Sequence, residues 1–169
     1  MNKKAIEQKG DEGEELFKQW LDDMELGYLY VRQEKEKFAT LFKGQIKRPD
    51  FLVLIDSIGL IAVDVKHKAL SRGVYTLEID DEIKPVLNFE RLFHLPVWYA
   101  YCDKESNVWY WISALKAISV GVGDERTNEK DGKRFLAIKQ SEFVQVAQND
   151  DIGKLYTQRM GNGKLDPIL

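Results

Sequence analysis

Two apolar runs divided by a short polar break set the strongest pattern in the chain. Phe51 to Ile55 is uninterrupted, Asp56-Ser57-Ile58-Gly59 reads as a turn, and Leu60 to Val65 is apolar again except at Asp64. Side chains alternate along a strand, so Leu60, Ala62, Asp64 and Lys66 share one face of this hairpin, and Ile61, Val63 and Val65 fill the other. Upstream, about Lys9 to Leu26 reads as an amphipathic helix with Phe17, Trp20, Leu21 and Met24 on one side and Gly27 as its stop. Tyr28 to Val31 starts a strand, and Glu34 to Gly44 is a charged connection. Val74 to Ile79 reads as a short strand or loop, and Pro85 to His94 as a helix that tolerates its proline near the start. Val97 to Tyr101 and Val108 to Ile112 are aromatic-rich strands, with the turn-like Asp103 to Asn107 between them. Ser113 is placed to cap a short helix through Ile118, Gly121 to Lys133 is a polar loop, and Phe135 to Lys139 is the last strand. This order predicts an α/β fold in which one central mixed sheet is flanked by helices, with an αβββαβ core.

The first helix carries an acid at an informative angle. At about 100° per residue, Gly10 and Gly13 fall within the apolar stripe, where small residues let the helix approach a sheet closely. Glu14 lies about 70° from the centre of the stripe, at the border between core and solvent, whereas Asp11, Glu12 and Glu15 point outward. Glu14 is therefore the acid best placed to reach the rim of a site on the sheet. The competing reading is that all four are solvated acids favoured near a helix N-terminus.

Composition narrows the class. A chain of 169 residues with 44% hydrophobic and 31% charged residues is expected to form one globular domain, its core spanning about 9–140 and a weakly patterned tail about 150–169. No run approaches the length of a membrane helix, and Met1-Asn2-Lys3-Lys4 leads into acidic residues instead of an apolar signal segment. The single Cys102 excludes an internal disulfide and argues against a cysteine-based zinc site, so a cytoplasmic protein is the default expectation. The net charge of −3 does not advertise a nucleic-acid partner, which would have to meet a local basic surface.

The candidate chemistry sits at the hairpin. An ionised aspartate is costly within an apolar strand unless something compensates it, and Lys66 lies on the same face as Asp64. With Asp50 at the start of the neighbouring strand, the set suits a divalent metal held beside a cation, which is the chemistry of phosphodiester cleavage. The competing reading is a same-face ion pair at a strand end.

Taken together, Gly10-x-x-Gly13-Glu14 on a helix, Arg48-Pro49-Asp50 and Asp64-Val65-Lys66 resemble the PD-(D/E)XK nuclease superfamily. Small size and motif order place the resemblance near archaeal Holliday-junction resolvases and related restriction-endonuclease-like proteins. It covers roughly residues 9 to 112. Aspartate at position 64 departs from many resolvases, which carry glutamate there, though the superfamily pattern accepts either acid. The resemblance implies a restriction-endonuclease-like fold and a Mg²⁺- or Mn²⁺-dependent phosphodiesterase acting on DNA as an endonuclease. It further implies that Asp50, Asp64, the Val65 carbonyl and Glu14 are metal ligands, with Lys66 orienting the attacking water or stabilising charge on the phosphate.

Other features fit less specifically. Lys43, Lys47, Arg48, Lys66, Lys68 and Arg72 gather around the proposed site, and Lys84, Asn88 and Arg91 project together from the second helix. Arg48, Lys68, Arg72, Asn88 and Arg91 are accordingly candidate substrate contacts; a mixed solvated surface explains the basic cluster equally well, and a plain exposed face is the stronger reading of the helix residues. His67 and His94 have no partners at zinc-ligand spacing and read as structural or surface residues. Trp98, Tyr99, Tyr101, Trp109, Tyr110 and Trp111 offer stacking faces for bases, but core packing or a dimer interface is the stronger reading. So small a chain has little room for a separate recognition module, which suggests a homodimer or a partner protein that supplies specificity. Two alternatives stay open: a catalytically inactive nuclease-fold protein acting as a nucleic-acid-binding or assembly partner, and a globular protein with a surface ion-pair network.

Overall fold

The computed structural model describes residues 3–31, 39, 42–103 and 108–157, with side chains from Glu12 to Tyr156 within those spans. Most of the charged connection from Glu34 to Gly44, the turn at 104–107 and the tail beyond 157 lie outside the described residues. Helix α1 (Lys3–Asp23) leads through Gly27 into β1 (Tyr28–Tyr30), and β2 (Phe51–Ile55) and β3 (Gly59–Lys66) form the expected hairpin. Leu54 pairs with Leu60 and Phe51 with Val63 across that hairpin, which fixes which side chains share a face. The turn between the strands puts Ser57 at φ 61° and Gly59 at φ 114°, the second a conformation that favours glycine.

Past β3 come β4 (Val74–Glu78), a π-helical turn (Ile79–Ile83), α2 (Lys84–Phe93) and β5 (Val97–Asp103). Strands β3 and β5 are parallel, so the segment between them is the crossover. Strand β6 (Val108–Ser113) ends at Ser113, whose hydroxyl accepts from the Lys116 amide and caps α3 (Ala114–Gly121), as the sequence predicts. The main sheet runs β1-β2-β3-β5-β6-β9, with β9 (Val144–Ala147) on β6.

The sheet is covered on both faces. On one, Phe17, Trp20 and Leu21 of α1 meet Phe51, Val53, Ile61, Val63, Trp109 and Trp111. Trp109 and Trp111 are at most 1% exposed, so these aromatics serve the core. On the other face lie α2, α3 and a second, three-stranded sheet, β4-β8-β7, formed with β7 (Glu125–Thr127) and β8 (Arg134–Lys139).

The second sheet and β9 are departures from the sequence reading. Strand β4 joins β8 instead of the central sheet, because Tyr75 and Leu77 pack onto Tyr101, Leu136 and Ile138. The stretch Gly121 to Lys133 holds β7, whose three residues are all exposed and leave no apolar alternation to read. Strand β9 follows Phe135 to Lys139 and shows only Val144 and Val146 as inward residues, too short a signal to stand out. Ile152 and Leu155, the latter in α4 (Lys154–Thr157), are buried against the main core.

Candidate active site

Asp50 owes its position to the start of β2. Pro49 needs no ladder donor there, and Asp50 already uses its backbone, its amide donating to the Val63 carbonyl and its carbonyl accepting from the Val31 amide. Strand β2 begins at Phe51, so the next outward-facing amide of β3, that of Val65, extends past the ladder. The Asp50 carboxylate takes it, accepting from Val65 N at 2.7 Å. In a strand the carbonyl of a residue points to the same side as its amide, so the Val65 carbonyl also faces Asp50.

Asp64 is completely buried, and it survives as an ion because two lysines reach it. Lys66 Nζ lies 2.8 Å from Oδ2, and Lys47 Nζ donates to Oδ1 at 2.9 Å and to Oδ2 at 3.1 Å. Burial alone would raise the Asp64 pKa; the two ammonium groups outweigh it and hold the carboxyl well below the usual carboxylate range. Asp50 behaves oppositely. Burial and then the nearby Asp64 charge raise its pKa well above the ordinary value, although Lys47 and the Val65 amide oppose them. Glu14 adds to the same rise, which places both other acids within electrostatic reach of Asp50.

Glu14 approaches from the opposite face of the sheet. It is half-buried, as its angle on α1 predicts, and its Oε2 accepts from the Tyr30 hydroxyl at 2.7 Å. Tyr30 in turn packs its ring 5.2 Å from Phe51. Gly13 shows why the helix comes so near: a Cβ there would stand 2.9 Å from the His67 Cβ, just past β3.

Two members of the site are missing from the sequence reading of the catalytic set. Glu82, in the π-helical turn, places Oε1 at 2.8 Å from Lys66 Nζ and Oε2 at 2.8 Å from Lys68 Nζ. Its Oε2 also accepts from the Glu78 amide at 2.7 Å. Burial would raise its pKa, but Lys66 and then Lys68 bring it down to about 2. Asp80-Asp81-Glu82 reads as a solvated acidic run between Ile79 and Ile83, and nothing in the sequence marks out one of the three acids. Lys47 is the other. The sequence places it in the basic cluster without a task, and the fold delivers it through two ties to α2: Lys47 N donates to the Pro85 carbonyl at 3.2 Å, and Asn88 Nδ2 donates to the Gln45 carbonyl at 2.9 Å.

Lys66 is thus enclosed, with its side chain 5% exposed. Burial would lower its pKa, but Asp64 and Glu82 raise it well above the ordinary value, so it is an ammonium at neutral pH. Its Nζ lies 5.6 Å from the centre of the Tyr99 ring, whose hydroxyl donates to the Glu82 carbonyl at 3.2 Å. Of the candidate substrate contacts, Lys68 joins the network through Glu82, and Asn88 is committed to Gln45. Arg48 is half-buried beside Pro49, while Arg72 and Arg91 are exposed. Arg72 sits at φ 52° next to Gly73 at φ 76°, in the two-residue turn between Ser71 and Val74. A cleft of about 340 Å³ opens beside Lys68, lined also by Thr76, Glu78, Thr127, Asn128, Lys133 and Phe135.

The donor set fits a hard divalent cation. Asp50, Asp64 and the Val65 carbonyl offer oxygen only, and the raised pKa of Asp50 marks a place where added positive charge would be favourable. Among the described residues no three acids or histidines already stand in a metal-holding cluster, and Lys47 engages both oxygens of Asp64.

No protein-family model and no curated protein sequence matches the chain. Solved structures do. Hjc of Archaeoglobus fulgidus, a Holliday junction resolvase from an archaeal hyperthermophile, superposes with a TM-score of 0.54 at 16% identity, over 88% of this chain and 96% of that one. D212, a nuclease from a fusselovirus, gives a TM-score of 0.44 at 11% identity, over 85% of this chain and 86% of that one. With its mixed sheet flanked by helices and a resolvase neighbour that covers 88% of the chain, the protein has a restriction-endonuclease-like fold.

Proposed function

We propose that this protein is a divalent-metal-dependent nuclease that cleaves DNA internally. The observation that carries the reading is the meeting of Asp50 and Asp64 at the ends of β2 and β3, with Lys66 locked between Asp64 and Glu82, on a restriction-endonuclease-like fold. Asp50, Asp64 and the Val65 carbonyl would hold Mg²⁺ or Mn²⁺, and Glu14 would complete the set directly or through a water. An ion bound there acidifies a water and neutralises charge developing on the phosphate. Lys66 serves as a fixed cation. An ammonium has three donors, of which Asp64 and Glu82 take two, so the third would serve the attacking water or a phosphate oxygen. Its raised pKa makes it a donor and not a base.

DNA, and a branched junction in particular, is the substrate suggested by the resolvase neighbour. Lys68, Arg48 and Arg72 would follow the phosphate backbone. A second copy of the chain or a separate protein would add specificity. No described helix is long and apolar enough to cross a membrane, and action in the cytoplasm is part of the same proposal.

One observation favours the second reading, a nuclease fold kept for binding or assembly: Lys47 occupies the Asp64 carboxylate. Cleavage separates the two. Duplex, single-stranded and junction DNA and RNA are incubated with Mg²⁺ or Mn²⁺ and with wild type, Asp50→Asn or Lys66→Met. Metal-dependent cutting lost in both variants supports the nuclease and reveals its substrate. Metal binding and DNA binding without cutting by the wild type favour the binding protein. Absence of both metal binding and cutting leaves only the ion-pair network.

A further inference from the structure

We propose that Lys47 is a tethered cation that competes with a divalent metal ion for Asp64 and leaves the carboxylate when the ion binds; the inference rests on the metal-site reading above. Lys47 Nζ spans both Asp64 oxygens at 2.9 and 3.1 Å. Mg²⁺ binds a carboxylate oxygen at about 2.0–2.1 Å, so the ion and an ammonium on the same oxygen would stand only about 4–5 Å apart. Like charges at that separation in a buried site repel strongly.

One of the two lysines on Asp64 has to yield, and the geometry selects which. Lys66 is 5% exposed and clasped by Glu82 on its far side. The Lys47 side chain is 35% exposed, and Asp64 is the acid that takes its ammonium. Its backbone stays fixed, because Ile46 is buried, Lys47 N donates to the Pro85 carbonyl, and Asn88 holds Gln45. Only the side chain needs to swing. Lys47 thereby neutralises Asp64 before the ion arrives, and afterwards leaves a positive charge at the mouth of the site, where a phosphate would enter.

The test measures metal binding directly. Mn²⁺ is titrated into wild type, Lys47→Met, Lys47→Gln and Asp50→Asn by calorimetry. Loss of the competing charge should tighten Mn²⁺ about tenfold or more in both Lys47 variants, and Asp50→Asn should lose binding. In parallel, wild type is treated with an amine-acylating reagent with and without Mn²⁺, and labelling is read by mass spectrometry against Lys68 as internal reference. Labelling of Lys47 should rise several-fold with the ion, and this arm decides if the variants do not fold. Unchanged or weaker Mn²⁺ affinity in the Lys47 variants, or unchanged labelling of Lys47 on saturation, overturns the proposal and leaves the metal site standing. If neither wild type nor a folded Lys47 variant binds Mn²⁺, the metal-site reading fails and this inference fails with it.

Discussion

Lys66 and Glu82 form the inner ion pair of the site, Nζ to Oε1 at 2.8 Å, with side chains 5% and 13% exposed. The pair joins the hairpin that carries the acids to the π-helical turn of the crossover, so the second face of the sheet helps set the lysine. Glu82 touches no reacting atom on this reading; it positions Lys66. Glu82→Gln is expected to lower the cleavage rate about 10–100-fold. Because Glu82 raises the Lys66 pKa, its removal also shifts the alkaline limb of the pH–rate profile to lower pH. A purely structural role would lower the amount of folded enzyme and leave that limb where it was.

The same residue gives the protein an acid-sensitive term in its stability. Folding depresses the Glu82 pKa from 4.5 to about 2. A depressed pKa stabilises the folded state above the unfolded value and is lost as pH falls toward the folded one. The contribution, about 3 kcal/mol, is therefore complete above about pH 5 and disappears between pH 4.5 and 2. Urea denaturation of wild type and Glu82→Gln across that range should show a constant gap at neutral pH that closes on acidification. Asp64, also depressed, acts in the same direction. Asp50 acts in the opposite one, since its raised pKa makes protonation favourable in the folded state.

That opposition separates the stability of the site from its activity. Asp50→Asn keeps an acceptor for the Val65 amide and removes a buried charge next to Asp64. Without metal the variant should be more stable at pH 7 by about 1 kcal/mol, or roughly 2–4 °C in Tm for a chain of this size. Metal-dependent cleavage should vanish. A variant that melts lower than wild type in chelator would show that the Asp50 charge is compensated in the folded state.

Why the sequence discloses Asp50, Asp64 and Lys66 but not Lys47 and Glu82 follows from how each is placed. The first three lie on or beside strands with period-two alternation, where an acid among apolar residues stands out and its facing partner is two residues away. Lys47 lies 17 residues before Asp64 in a segment without periodicity, and its contact depends on the ties to Pro85 and Asn88. Glu82 is one of three consecutive acids, and only the π-helical turn distinguishes it from Asp80 and Asp81, which pair with Lys84 and Lys133 at the surface. The same limit hides the second sheet. Tyr75 and Leu77 advertise a strand, but their partners Ile138 and Leu136 are about 60 residues away and no local signal names them.

Helix α1 provides a test of how closely the fold has to close around the acids. A Cβ on Gly13 would meet the His67 Cβ at 2.9 Å and the His67 Cα at 3.8 Å, so the obstacle is the root of that side chain and not a flexible tip. Gly13→Ala gains up to about 1 kcal/mol of helix propensity but incurs about 1–3 kcal/mol of overpacking, or else it shifts α1 away from β3. Net destabilisation is expected by thermal melting, and a fall in activity beyond the loss of folded protein, because Glu14 and its Tyr30 contact move with the helix. His67→Ala should not rescue the variant, since alanine keeps the offending Cβ. His67→Gly removes it and should restore activity in part, despite the flexibility it adds. Equal rescue by both substitutions would place the clash farther out on the imidazole and refute the close approach as the reason for a glycine at position 13.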